Sequence, residues 1–250
     1  MISPLVSIIT PNYNSVLFFK DTFKSVVSQT YNNWEWIIVD DFSSDGSYEL
    51  ILELSKSDNR IKVFRNNCNS GAAVTRNNAT SFASGSFIAF LDADDMWKPS
   101  KLEEQIHFMI DNNYLFTYTN YDVLTKKGTI KSFEPKKDYA DYKTLLKKCD
   151  IGCLTVIYNR SALGDVLMPL DTPNREDYAA WLDLTKKGIE ARKLNKSLAI
   201  YRLSSGAVTA NKSKLIKSHW RVYRKHENFS FIKSLFYLFI HSFNKIFFKY

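Results

Sequence analysis

Leu5-Val6-Ser7-Ile8-Ile9-Thr10 is a short apolar run ended by Pro11-Asn12, and Trp34-Glu35-Trp36-Ile37-Ile38-Val39 is a second, ended by Asp40-Asp41. Between them, Val16 to Gln29 carries its apolar residues at helical spacing. Two strand-length runs around one helix-length segment read as a β-α-β unit. Outward from that unit, Ile61 to Arg65 is a third strand, Ala72 to Ala83 a helix and Phe87 to Leu91 a fourth strand. Lys101 to Asp111 is a helix after Pro99, a residue suited to helix starts. The alternation predicts an α/β fold with a mostly parallel sheet and helices on both faces. The second half is less regular: Leu115 to Leu124, Leu154 to Tyr158 and Leu198 to Arg202 read as strands, and Tyr178 to Lys187 as a helix. A Lys-rich turn falls near Lys126-Lys127-Gly128, and one soft boundary near residue 210.

The chain has 250 residues, 45% of them hydrophobic and 24% charged, which suits one large domain with or without an appendage and excludes a chain disordered throughout. Its formal charge of +8 is localised. Between Asn211 and Tyr250, nine Lys and Arg face one acid, Glu227, so residues 1–210 are neutral. A basic partner-binding face therefore belongs to the tail. Cys68, Cys149 and Cys153 cannot all pair, and no His or second Cys pair completes a zinc site, so they read as reduced thiols of a cytosolic protein. Met1-Ile2-Ser3-Pro4-Leu5 lacks the pattern of a signal peptide, and export by that route is not expected.

In sheets of this kind ligands bind beyond the carboxyl ends of the strands. The polar clusters fall there: Thr10-Pro11-Asn12-Tyr13-Asn14, Asp40-Asp41, Asn66-Asn67 and Asp92-Ala93-Asp94-Asp95. Three carboxylates within four residues repel one another unless a cation or protons neutralise them. Hard oxygen ligands suit Mg²⁺ or Mn²⁺, ions that hold one or two carboxylates plus substrate phosphates. The other reading of Asp92, Asp94 and Asp95 is a solvated acidic turn capping the next helix, and the strand-end placement weighs against it. Asp40 and Asp41 offer a second acidic pair: one carboxylate suits an N–H of a nucleobase, while its neighbour caps the turn Ser43-Ser44-Asp45-Gly46.

Five collinear segments carry a resemblance: Val6 to Asn14, Ser28-Gln29-Thr30-Tyr31, Ile38 to Ser47, Asn69 to Asn77 and Phe90 to Trp97. Together they resemble glycosyltransferase family 2, with the Rossmann-like GT-A fold, over roughly residues 5–205. Within it the chain is most similar to bacterial enzymes that build surface polysaccharide of the O-antigen, capsule or teichuronic-acid type. The resemblance implies an inverting, metal-dependent enzyme that transfers a single sugar from a nucleotide-diphosphate donor, such as a UDP-sugar, to a hydroxyl of a lipid-linked saccharide. It implies that Thr10, Pro11 and Tyr13 line the base pocket and that Asp40 binds the base. Asp94, with Asp92 or Asp95 and Ala93 between them, reaches the ribose and the diphosphate-bound Mn²⁺ or Mg²⁺. Arg76, on the helix after Gly71, is expected to pair with donor phosphate. Glu176-Asp177-Tyr178 resembles the family's ED motif, which makes Asp177 the general base toward the acceptor hydroxyl.

Tyr201 to Thr209 resembles the family's segment after the last core strand, with Arg202 near phosphate and Gly206 in a closing loop. The QxxRW motif of processive synthases is missing there, which favours single transfer over polymerisation. Residues 1–210 are thus the expected GT-A catalytic domain, donor-binding over about 1–98 and acceptor-side over 99–210, and 211–250 a basic, aromatic helical tail. His219 is read as a helix-surface residue, with an extra metal ligand as the alternative. Two other functions fit parts of the pattern: a membrane-docked nucleotide-sugar binder without turnover, and a nucleotidyltransferase.

The tail itself is amphipathic. Ile232, Leu235, Phe236, Phe239, Phe243, Phe247 and Tyr250 recur at spacings of three and four, with Lys233, Lys245 and Lys249 interspersed. The longest charge-free run, Ser234 to Asn244, is well short of the roughly 20 residues that cross a bilayer. The expectation is a helix lying on the cytoplasmic leaflet, peripheral on the inner face of the bacterial cell membrane, drawn there by anionic lipid. Packing against the catalytic domain or a homodimer partner is the alternative. Nucleic acid is not an expected partner, since no binding module accompanies the charge.

Overall fold

The computed structural model describes residues 3–125, 128, 130–203 and 212–247, with side chains for all of these except 212–214 and 244–247. Strand β1 (Val6–Asn12), helix α1 (Phe19–Val27) and strand β2 (Trp34–Asp40) form the expected β-α-β unit. Helix α2 (Ser47–Ser55), strand β3 (Ile61–Arg65), helix α3 (Ala72–Ser81) and strand β4 (Phe87–Phe90) extend it. Every residue of β2 is buried, because helices cover both faces of the sheet and leave no strand position for a polar side chain to reach water. The alternation of Cβ directions sorts the core into two layers. Ile9, Ile37, Val39 and Phe90 pack on one face, and Ile8, Trp36, Ile38 and Leu91 on the other.

After β4 come β5 (Met96–Trp97), α4 (Lys101–Asp111), β6 (Phe116–Leu124), β7 (Ile130–Phe133), β8 (Tyr139–Ala140) and α5 (Tyr142–Lys147). A 3₁₀ turn at Cys153–Thr155, β9 (Ile157–Asn159), α6 (Arg160–Leu163), α7 (Glu176–Lys186) and β10 (Ala191–Arg202) complete the sheet. The strand order is β3-β2-β1-β4-β9-β6-β10-β5. The parallel expectation holds through β3-β2-β1-β4 and the β6-β10 pair, while β5, β7, β8 and β9 add antiparallel edges and joints. This is the GT-A architecture that the motifs implied.

Differences from the sequence reading have local causes. β10 starts seven residues before the expected Leu198, because register shifts between Leu194, Ser197 and Ala199 break its alternation and hide the first half. The run Leu154 to Tyr158 begins as a 3₁₀ turn and becomes strand only at Ile157. β5 and β8 have two residues each, too few for periodicity to register. Lys126 and Lys127 lie outside the described residues; beside them Gly128 has a positive φ and closes a turn onto the Thr125 carbonyl.

Helix α8 (Lys212–Arg221), a π turn (Val222–His226) and helix α9 (Phe231–Phe247) form the C-terminal layer. The Tyr223 hydroxyl donates to the Leu146 carbonyl at 2.9 Å, and Tyr142 and Lys186 both bond Glu227. His226 Nε2 lies 2.9 Å from Asp183, with Asp171 at 3.5 Å from Nδ1. The hydrogen bond to Asp183 raises the His226 pKa; burial opposes it, and the charges of Asp183 and Asp171 add to it. A raised folded pKa makes the contribution complete below the ordinary value of about 6.5 and lost as pH climbs through the folded value. The Tm gap between wild type and His226→Gln is therefore expected to narrow from pH 6 to pH 8.5. A gap of constant size would mean that the imidazolium charge plays no part in holding the π turn.

Candidate active site

The chain crosses over at β1, with β2 on one side and β4 on the other, and a cleft of about 640 Å³ opens at the carboxyl end of that strand. Three walls enclose it. Pro11, Asn12 and Tyr13 come from the end of β1, Gly71, Ala72, Thr75 and Arg76 from the start of α3, and Asp92, Ala93 and Asp94 from the loop after β4. Leu17 and Phe18, which no motif had marked, close the rim. Tyr13 is half exposed, so its ring is available as a stacking surface over the opening.

Two of the residues expected to meet the nucleobase do not reach this cleft. Thr10 is fully buried, and its hydroxyl accepts the indole N–H of Trp36 at 2.8 Å. Asp40 is fully buried as well: one oxygen accepts from Asn12 Nδ2 at 2.7 Å, and the other accepts the Ser43 N–H at 3.0 Å and faces Arg65 at 3.2 Å. Its neighbour Asp41 lines the cleft instead. Asp41 accepts from Asn66 Nδ2 and from the backbone N–H groups of Ser70 and Gly71, each at 2.8 Å. Adjacent residues leaving a strand point to opposite sides, and register sets Asp40 directly beside Asn12 of β1. The acid facing the cleft is Asp41.

The loop after β4 divides its three carboxylates in the same way. Asp92 and Asp94 line the cleft and are partly exposed, whereas Asp95 is turned inward and buried. Asp95 accepts the Arg202 N–H at 2.9 Å. Burial, and then the charges of Asp94 and Asp92, push its carboxyl well above the usual carboxylate range. Thr22 donates to the carbonyls of Ala93 and Asp95, and Arg202 Nε donates to that of Asp94, so the loop is clamped from α1 and from β10. The guanidinium of Arg202 also bonds Asp21 at 2.8 Å. The expected loop around Gly206 lies outside the described residues.

Arg76 does not project freely toward a phosphate. Buried on α3, it donates to Asp92 at 2.6 Å and to Glu176 at 3.0 Å. Burial disfavours its charge, and the carboxylates of Asp92 and Glu176 hold it on. Through this bridge the start of α7 is tied to the acidic loop after β4. Asp177, the next residue, lines a separate cavity of about 110 Å³ with Lys148, Cys149, Asp150, Arg175, His219 and His241. One Asp177 oxygen accepts the Tyr178 N–H at 2.7 Å. Burial first, and the Glu176 charge second, raise the Asp177 pKa, with Arg175 and Arg76 opposing. His219 is not a helix-surface residue; it is buried against Tyr178 and His241, in this second cavity rather than beside Asp94.

The sequence model of the family described as Glycosyl transferase family 2 matches residues 7–167. A putative teichuronic acid biosynthesis glycosyltransferase, TuaG of Bacillus subtilis, is 43% identical over 232 residues, covering 92% of each chain. The chain belongs to glycosyltransferase family 2. WfgD of Escherichia coli, named as a UDP-Glc:α-D-GlcNAc-diphosphoundecaprenol β-1,3-glucosyltransferase, is 43% identical to this family 2 glycosyltransferase over 87% of its chain and 85% of WfgD. Among solved structures, S. aureus TarS 1–349 with UDP-GlcNAc superposes with a TM-score of 0.70 at 18% identity, over 97% of this chain and 73% of that one. The mannosyltransferase PcManGT of Pyrobaculum calidifontis, with GDP-Man and Mn²⁺, gives 0.72 at 16% identity, over 95% and 70%. At such identities these two bear on the fold alone.

The donor set of this family 2 glycosyltransferase fits a hard divalent cation. Asp92 and Asp94 present carboxylate oxygens on an open wall of the cleft and would hold such an ion. Asp95 has no such access. The described residues also hold a geometric cluster of Asp183, His226 and Glu227, but Lys186 and Tyr142 already satisfy one Glu227 oxygen there, and the group reads as an ion-pair network.

Proposed function

We propose that this chain is a metal-dependent, inverting glycosyltransferase that moves one sugar from a nucleotide-diphosphate donor, a UDP-sugar, to a hydroxyl of a lipid-linked saccharide in surface-polysaccharide synthesis. One observation carries the reading: the cleft acids Asp92 and Asp94 and the cavity acid Asp177 form two stations, joined by the Arg76–Glu176 bridge. A donor in the large cleft stacks its base near Tyr13, within reach of Asp41 and the α3 N-terminus, whose backbone N–H groups favour anions. Asp92 and Asp94 would hold the cation, which when bound supplies positive charge against the departing diphosphate. Asp177 takes the proton of the acceptor hydroxyl; burial, and then the Glu176 charge, raise its pKa, which strengthens it as a base. A single in-line displacement then inverts the anomeric carbon. The activity named for WfgD, with a UDP donor and a diphosphoundecaprenol acceptor, supports the substrate classes.

The test is a screen of UDP-sugars with Mn²⁺, Mg²⁺ or a chelator, reading released nucleotide and the anomeric configuration of the product. Nucleoside diphosphate release that depends on the cation, with inversion, is the expected result. Release of pyrophosphate would instead favour a nucleotidyltransferase and overturn the reading.

Membrane association belongs to the same proposal. Phe231, Ile232, Leu235, Phe236, Phe239 and Phe243 of α9 are exposed, while Ser234 and His241 turn inward and Tyr237 packs against Phe229. Trp220 of α8 meets Phe231 edge-on, and Ile216, Lys217, Arg221 and Arg224 are exposed beside it. An apolar stripe bordered by cations suits the interface of an anionic leaflet, and no described helix is long and apolar enough to cross a membrane. Phe236→Glu with Phe239→Glu is expected to release the protein from anionic vesicles in a sedimentation assay; retention of both wild type and variant would refute docking through α9.

A further inference from the structure

The small cavity beside Asp177 holds more than the base needs. His219 comes from the inner side of α8 and His241 from the inner side of α9, and both are buried, at 5% and 8% exposure. Their ring centroids are 3.9 Å apart. Arg175, at the start of α7, donates from Nε to His219 Nε2 at 3.1 Å, and Lys148 lines the same cavity in an ion pair with Asp150 at 3.0 Å. Four nitrogen-bearing side chains thus converge from α5's end, α7, α8 and α9 on a volume of about 110 Å³. That is room for a compact group such as a phosphoryl.

The same two helices carry the exposed apolar stripe on their outer side. A lipid-linked molecule has its polar head and its tail joined through phosphate, so a protein that meets the tail with α8 and α9 meets the phosphate near those helices. We infer that the cavity is the subsite for a phosphoryl group of the acceptor's diphosphate, with Arg175, His219 and His241 as its ligands. The inference rests on the lipid-linked acceptor proposed above. Arg175 supplies a permanent charge and planar donors, and each imidazole supplies an N–H whatever its protonation state. Asp150 and Asp177 are the acids that line the same cavity, and Asp150 is paired with Lys148. With Asp177 in the cavity, anchoring the phosphate sets the acceptor sugar at a fixed offset from the base, which is a positioning effect of the kind that oriented binding provides.

Two measurements on the full-length protein test this. The first is calorimetric titration of decyl diphosphate into cation-free protein, where the donor cleft has no metal to recruit a diphosphate. Binding is expected in wild type and at least tenfold weaker in His219→Gln and in Arg175→Met; equal binding by wild type and variants overturns the inference. The second compares N-acetylglucosamine linked to a decyl chain through diphosphate with the same sugar linked through an ether. The ratio of kcat/KM for the two acceptors is expected to fall at least tenfold in His219→Gln and in His241→Gln, chosen as separate variants so that one misfolded protein does not decide the matter. A ratio unmoved in both, with both acceptors weakened alike, means that the histidines are structural and the inference is wrong. If neither acceptor receives sugar but decyl diphosphate still binds through His219, the transfer reading fails and the anion site stands.

Discussion

Asp177→Asn is expected to lower kcat by about a hundredfold to ten-thousandfold, the range general-base removal typically shows, while leaving the affinity for the donor nucleotide within about twofold. The substitution is a clean one because asparagine keeps an oxygen for the Tyr178 N–H, the contact at 2.7 Å that fixes the side chain on its own helix. What changes is the charge, and with it the capacity to accept a proton. The donor cleft does not contain Asp177, so nucleotide binding has no direct reason to move. The pH dependence supplies a second reading. Burial and the neighbouring Glu176 raise the Asp177 pKa, so the acidic limb of the wild-type kcat profile should lie above the ordinary aspartate value of about 4, with activity falling as pH drops through it. A variant with wild-type kcat, or one that loses donor binding in step with turnover, would remove Asp177 from the base role.

The sequence made the donor half of the fold legible because its signals are long and redundant. β2 is apolar at nearly every position, and each strand ends in a polar cluster that has no place inside a two-sided core. Which residue of a cluster faces the ligand is another matter. Asp40 and Asp41, or Asp92, Asp94 and Asp95, are indistinguishable as letters; what separates them is the side of the strand each leaves from. Asp40 falls opposite Asn12 in register and is absorbed by the β1–β2 seam, while Asp41 turns to the cleft. Thr10 against Asn12 and Tyr13 is decided in the same way, by the Trp36 indole that only the folded sheet brings to the hydroxyl. The second half was less legible because its strands are short, antiparallel or bulged, and because its contacts span long stretches of chain. The 100-residue separation between Arg76 and Glu176 leaves no local trace in either segment.

That pair carries the other large effect. Arg76→Met is expected to destabilise the fold by about 3–5 kcal/mol, the usual consequence of removing one partner from a buried ion pair. For a chain of this size the change corresponds to a fall in Tm of roughly 10 °C. The reason lies in what remains. Glu176 is buried, and its second oxygen has no hydrogen-bond partner among the described residues, so loss of the guanidinium strands a carboxylate in a low-dielectric site. Arg76→Lys should recover only part of the loss, since one ammonium does not bridge Asp92 and Glu176 as two guanidinium nitrogens do. Adding Glu176→Gln to Arg76→Met should recover more, with a coupling that a double-mutant cycle reads directly. The cation response discriminates the bridge from simple packing. With Arg76 gone, Asp92 loses the positive charge that now offsets it and repels Asp94 more strongly, so Mn²⁺ should raise the Tm of the variant by more than it raises that of wild type. A thermal shift of equal size in both proteins would mean that Arg76 braces α3 against α7 without setting the charge of the acidic loop, and the two stations would then be independent.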